Sequence, residues 1–170
     1  MRAVLQKVSR ASVTVGDRVV GSIGAGICVL VGISFDDTQE DLDYMARKVL
    51  GMRVFGDSNA FWKRSVQDEQ LEVLCISQFT LYGKTTKGTK PDFHQAMKSH
   101  ESREFFDRFV ARLRELYRAD KVQTGEFGAM MQVSLVNDGP VTLQLDSRKF
   151  TYSQNNVNAA KQERRLKYGK

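Results

Sequence analysis

The sequence predicts an α/β fold, and three observations carry that prediction. Strand-like runs open and close the chain, two segments carry apolar residues at helical spacing, and the two kinds of segment interleave in the order β-β-β-α-β-β-α-β-β.

Each element has its own justification. The opening "MRAVLQKVSRASVTV" (1–15) reads as a strand, and Gly16-Asp17 is a turn signal leading into a second, "RVVGSIG" (18–24). "GICVLVGIS" (26–34) is a continuous apolar run, the pattern of a strand buried on both faces. Residues 38–50 place Leu42, Met45, Ala46, Val49 and Leu50 at helical spacing. Acidic residues gather at this helix's entrance, where the dipole explains Asp36, Asp37, Asp41 and Asp43 without catalysis. Short strand-like pieces follow around Val54-Phe55 and Ser65-Val66, and "LEVLCISQFTLY" (71–82) is the strongest strand signal in the chain. A second helix is expected over 99–118, with Phe106, Phe109, Leu113, Leu116 and Tyr117 as its apolar face and Ser99 as its cap.

"AMMQVSLV" (129–136) and "VTLQL" (141–145) complete the strands. Asn137-Asp138-Gly139 between them is a hairpin signal, because these residues tolerate positive φ. Pro140 complicates it, since it removes a ladder donor, and the Gly139-Pro140 bond can be cis at modest energy. Two readings fit: a hairpin tip with an edge proline, or a rigid tip that fixes the direction of the Gly139 carbonyl.

At 170 residues, 41% hydrophobic and 27% charged, the composition suits one soluble domain with a sizeable core. No apolar run approaches a membrane span and the N-terminus lacks a signal peptide's apolar block, so a cytosolic protein is expected. Cys28 and Cys75 lie in apolar runs without CxxC spacing, which points to buried reduced thiols. The net charge is +6, but residues 151–170 carry five basic residues and one acid, so +4 of it lies there. The chain therefore divides into a domain over 1–150 and a basic extension over 151–170 that either contacts nucleic acid or keeps the protein soluble.

Most familiar catalytic constellations are missing. His94 and His100 have no partner at metal-ligand spacing, there is no HExxH or paired Cys, and no GxSxG or P-loop, so neither metal nor cofactor is expected. What remains is the end of the strongest strand, where apolar residues give way abruptly to Ser77, Gln78, Phe79 and Thr80. Groups at a strand end are held by the sheet while the next loop closes over a ligand, although a strand emerging into solvent looks the same. Lys84, Lys87 and Lys90 in the following loop meet either phosphates or water.

"SQFTL" (77–81) together with "NDGPVT" (137–142) resembles the D-aminoacyl-tRNA deacylases, the eukaryotic members above all. The likeness spans about 1–147 and includes "KPDFH" (90–94) and "GEFGAMMQV" (125–133); residues 151–170 are unmatched. It implies a three-layer α/β/β fold, a homodimer, an aminoacyl-tRNA substrate, and chiral proofreading that hydrolyses the ester of D-aminoacyl-tRNA. It further implies a cis Gly139-Pro140 bond at a tip, Asn137 to Pro140, that enters the partner's site and turns the Gly139 carbonyl toward the substrate's α-carbon. The segment Ser77 to Thr80 would carry the chemistry, with main-chain amides near Phe79 and Thr80 as an oxyanion site. Phe127, Gly128 and Met131 match the family's adenosine pocket, and the tRNA's own 2′-hydroxyl would assist hydrolysis, since no His or carboxylate adjoins Thr80 in sequence. Two other classes stay open: a nucleic-acid-binding module without catalysis, and a Ser or Cys hydrolase acting through Ser77 or Cys75.

Overall fold

One long strand organises the chain. In the computed structural model, which describes residues 1–57 and 60–148, β1 (Arg2–Val15) pairs with three others. Its first half lies antiparallel to β3 (Gly26–Gly32), its second half lies antiparallel to β2 (Arg18–Ile23), and β8 (Gln132–Asp146) follows its other edge along almost its whole length. From β3 the sheet continues in parallel through β6 (Glu72–Ser77) to β7 (Val122–Thr124).

Strand alternation sorts the side chains into two cores. Leu5, Ile27, Val29, Val31, Val73 and Cys75 point toward α1 (Gln39–Gly51) and α2 (Ser99–Leu116), where they meet Leu42, Met45, Val49, Phe106 and Phe109. Cys28, Leu74 and Ile76 point the other way and meet Val8, Ala11, Val13 and Ile23. β1 thus changes core between Leu5 and Val8, where its pairing with β8 is irregular. The sheet folds back over itself there, and the layers are helices, sheet and returning sheet: the α/β/β arrangement that the family resemblance implied.

Several elements differ from the sequence expectation. The strand expected over 71–82 ends at Ser77, and Phe79–Tyr82 forms a 3-10 turn. The last residue of β3, Gly32, stands level with the end of β6, so a longer β6 would run past its partner with an unpaired backbone. The hairpin expected around Asn137-Asp138-Gly139 is absent. Both flanking segments belong to β8 and pair with β1 in one direction; between Val8↔Asn137 and Gln6↔Thr142, β8 takes five residue steps against two in β1. The turn residues therefore bulge out of a continuing strand and do not reverse it.

The strand-like piece at 54–55 leads into a two-stranded ribbon, β4 (Phe55–Asp57) and β5 (Ala60–Arg64), whose second strand ends just before the piece expected at 65–66. Ser65 instead starts a turn in which its backbone N–H and hydroxyl donate to Asp68 at 2.7 and 2.8 Å. The short β7 has no counterpart in the sequence reading. Lys98, not Ser99, is the α2 cap residue, and it makes no side-chain cap bond.

The acids at the α1 entrance do more than complement its dipole. The Met1 ammonium lies 2.5 Å from Asp37 and 2.6 Å from the Ser147 hydroxyl, fully buried, and Ser34 N–H donates to the other Asp37 oxygen at 2.7 Å. Arg148 pairs with Asp36 and Asp37, and Asp43 accepts from Arg112 at 2.8 Å. The tail expected over 151–170 lies outside the described residues. Among those described, no helix is long and apolar enough to cross a membrane.

Candidate active site

β3, β6 and β7 run parallel, so the segments leaving their C-terminal ends emerge together. Sites in sheets with parallel strands are built at that end, because several loops converge on a rigid edge. β6 gives way to the 3-10 turn at Phe79–Tyr82, and β7 to residues 125–131; the loop that follows the turn crosses back past the end of β3 through the Ser34↔Ala96 bridge. The sequence-predicted residues Ser77, Gln78, Phe79 and Thr80 therefore share one sheet end with Phe127, Gly128 and Met131.

The turn is anchored from below. Gln78 N–H donates to the Val31 carbonyl at 2.7 Å, and the first bond within the turn is Leu81 N–H to the Gln78 carbonyl at 3.2 Å. The N–H groups of Phe79 and Thr80 precede that bond, so the turn does not use them, and with no acceptor among the described residues they remain donors at its open end. Arg2 braces the far side: it donates to the Leu81 carbonyl at 3.1 Å and to Asp146 at 3.2 Å, and its guanidinium lies 4.6 Å from the centre of the Tyr82 ring. Tyr82 is buried and its hydroxyl has no partner among the described residues; burial, and then the charges of Asp37 and Asp146, hold its pKa far above the usual range. A cleft of about 320 Å³ lined by Arg2, Val4, Leu81 and Gln144 lies beside the turn.

Thr80 and Phe79 are exposed. The Thr80 hydroxyl accepts from the Gln78 amide at 2.5 Å, and no His or carboxylate bonds to it among the described residues. Phe79 meets Phe93 edge-on at 5.0 Å, which ties the turn to the loop that carries Lys84, Lys87 and Lys90. That loop is pinned by reciprocal backbone bonds between Lys84 and Asp92 at 2.8 and 3.0 Å, and the Asp92 carboxyl, hydrogen-bonded to His94, is held below its usual range. Phe127 packs on Phe106, and Arg103 lies 5.0 Å from its ring centre and donates to its carbonyl at 3.0 Å. Gly128 follows with φ of +77°, and Met131 packs against the second core.

Asn137, Gly139 and Pro140 lie elsewhere. Their bulge stands opposite Lys7, whose ammonium is 2.8 Å from Asp138 and whose carbonyl accepts from Asn137 at 3.5 Å. The Gly139–Pro140 bond is cis, and Gly139 has φ of +129°, a conformation that L side chains rarely adopt. Ser77 is level with Val31 and Ala3, so the bulge is displaced by four residues along β1 and three strands across the sheet. At about 3.4 Å per residue and 4.8 Å per strand, the two motifs of one chain are about 20 Å apart along the sheet.

Cys75, weighed as a nucleophile in sequence, and Cys28 are both buried free thiols, as the sequence reading expected. Burial pushes Cys28 up to about 11 and Cys75 higher still, so neither is a ready thiolate. Sequence reasoning missed Arg2, Tyr82, Phe93 and Arg103; only the family-like "KPDFH" carried any signal for one of them, Phe93.

Residues 4–146 match the family model described as D-Tyr-tRNA(Tyr) deacylase, which places the protein among the hydrolases. The chain belongs to the D-aminoacyl-tRNA deacylase family and hydrolyses D-aminoacyl-tRNA. It is 54% identical over 148 residues to D-aminoacyl-tRNA deacylase 1 of Danio rerio, covering 86% of this chain and 71% of that protein. It is 51% identical over 148 residues to the D-aminoacyl-tRNA deacylase of Saccharomyces cerevisiae, covering 86% and 99%. A solved structure named c-Myc DNA Unwinding Element Binding Protein superposes with a TM-score of 0.83 at 52% identity, covering 86% of this chain and 98% of that one.

Proposed function

We propose that the two motifs act together across two copies of the chain, the Asn137–Pro140 bulge of one completing the Ser77–Thr80 site of the other. The observation that supports this reading is their separation of about 20 Å along the sheet of one chain. A two-fold arrangement brings the first motif of each copy to the second motif of the other, twice over. Met130, Val133 and Val136, which lead into the bulge, are exposed apolar residues that a second copy would cover.

In the completed site the ester carbonyl faces the free amides of Phe79 and Thr80, which hold the oxyanion as it develops. One such donor is worth about 10² to 10³ in rate. Thr80 lacks a base, so the ribose 2′-hydroxyl beside the ester assists water or the leaving group. The terminal adenosine lies on Phe127, Gly128 and Met131, and Lys84, Lys87 and Lys90 meet phosphates. The partner's Gly139 carbonyl faces the α-carbon, so an L side chain collides with it while a D side chain points away. Glycine has no side chain to reject, and glycyl-tRNA is also a substrate. The enzyme thereby serves translational proofreading in the cytoplasm.

The test is hydrolysis of one tRNA charged with the D or L form of one amino acid, or with glycine, at equal enzyme, with light scattering on the same sample. Cleavage of the D and glycyl forms by a dimer is expected. Glycyl-tRNA as resistant as the L form would remove exclusion by the carbonyl, and a fully active monomer would remove the shared site.

A further inference from the structure

α1 runs back from the sheet end that carries the turn, so its last turn lies about 20 Å away at the opposite end. There it meets the β4–β5 ribbon around a groove of about 520 Å³ lined by Tyr44, Arg47, Lys48, Met52, Arg53 and Trp62. Trp62 is the only tryptophan of the chain and is 57% exposed. Its φ is +61°, a conformation that is costly for a bulky residue and persists only where the surroundings hold it. That backbone presents the largest apolar side chain to solvent, beside the still more exposed Phe61.

The charge of the groove is one-sided. Among the described residues, three cations line it and no carboxylate does. Arg47 makes no ion pair among the described residues, and the Lys48 ammonium lies 5.6 Å from the Tyr44 ring centre. Arg53 lies near Asp68, but that carboxylate is turned onto Ser65, whose bonds are the main reason its pKa is lowered. The carbonyls at the end of α1 contribute about half a negative charge, which three full positive charges outweigh.

We propose that this groove binds a single-stranded stretch of RNA, one base stacked on Trp62 and three phosphates met by Arg47, Lys48 and Arg53. The inference rests on the chain acting on tRNA and adds a contact outside the aminoacyl end. RNA satisfies both features at once, since every base has a π face and every nucleotide a phosphate. An apolar peptide leaves the cations unpaired, and the chain's own 151–170 segment, with five basic residues and one acid, is repelled. The groove's volume falls within the usual range of about 300–1,000 Å³ for small-ligand sites, enough for a base with its sugar.

Trp62 reports its own occupancy, because no other indole contributes to the emission. Titration with an oligoadenylate RNA of about 12 nucleotides, a length typical of single-strand sites, should quench that emission saturably. Log affinity should fall with log salt at a slope of about −2, since a single strand releases about 0.7 counterion per phosphate. Both arginines are exposed, so the Arg47→Glu, Arg53→Glu double variant should melt like the wild type. It should raise KM for full-length D-aminoacyl-tRNA about ten-fold at unchanged kcat, and leave KM for a 3′-D-aminoacyl-adenosine where it was. An unmoved indole emission at saturating RNA overturns the proposal, as does a KM that stays constant or rises equally for both substrates. Binding of a DNA 12-mer with no change in KM for tRNA also overturns it. Should the wild type cleave neither substrate, the deacylase reading fails, while titration with uncharged tRNA still tests the groove by itself.

Discussion

A methyl group added at Gly32 tests whether the turn after β6 is the reacting segment. Gly32 ends β3 beneath that turn, and a Cβ there would stand 2.9 Å from Leu81 Cβ, 3.0 Å from the Gln78 carbonyl oxygen and 3.3 Å from Tyr82 Cδ2. Carbon atoms rest at about 3.5–4.0 Å, so the turn must rise by at least about half an ångström. The contact leaves little room to relax, because β3 is held between β1 and β6, and Gly83 N–H closes the turn on the Thr80 carbonyl at 2.9 Å. The free amides of Phe79 and Thr80 move with it. A 1 Å misplacement can cost about 10²-fold, so Gly32→Ala should lower kcat about ten-fold. Overpacking should also cost about 1–3 kcal/mol, or roughly 3–10 °C in Tm. Single-turnover hydrolysis of D-aminoacyl-tRNA at saturating enzyme measures the first effect and a thermal melt the second. A wild-type single-turnover rate in a variant with a lowered Tm would show that the chemistry does not use residues 78–82.

Thr80→Ala should keep kcat within about ten-fold of wild type, because the hydroxyl has no base, whereas a tRNA ending in 2′-deoxyadenosine and charged at its 3′-oxygen should react far more slowly at matched binding. The opposite pattern would make the side chain the nucleophile. Asp37→Ala strands the buried Met1 ammonium and the Ser34 N–H, and should cost about 3–5 kcal/mol in urea unfolding; a loss below about 1 kcal/mol would show that water or Ser147 replaces it. Cys28 should make stability fall at alkaline pH. The unfolded thiol ionises near 9.0 and the folded one near about 11, so its contribution is intact below pH 9 and lost through pH 9–11, by about 2–3 kcal/mol. Urea midpoints across that window should decline less in Cys28→Ala.

Regular elements were legible where a single period dominates. α1 follows from Leu42, Met45, Ala46, Val49 and Leu50, and β3 from a run that fills both cores. Two boundaries were not legible, for the same reason. Phe79 to Tyr82 has strand-like composition, but the end of β3 at Gly32 removes the partner such a strand needs. Asn137-Asp138-Gly139 has hairpin chemistry, but β1 is long enough to pair with both flanking segments in one direction, and tertiary pairing overrides the local turn preference. Ser77 to Thr80 could be singled out because polarity changes abruptly there. Arg2 and Tyr82 could not, since their roles arise only when the first and last strands close beside the turn.

The pairing of β1 with β8 also governs when the protein can exist at all. Arg2 and Asp146 are 144 positions apart yet joined by a side-chain bond, and between them β8 supplies one whole edge of the strand that both cores share. Until that last strand is available, the second residue to the fifteenth have one open edge, and the Leu143 and Leu145 side chains that pack against the first core are missing. Contacts of such long sequence separation close late and slowly, because loop entropy is spent before they form. On the ribosome that edge of the N-terminal strand must therefore wait for about 130 further residues at about 5–20 residues per second, an interval of roughly 7–26 seconds. The chain can pair β1 with β2 and β3 early, but it closes its sheet only when its last strand has been made.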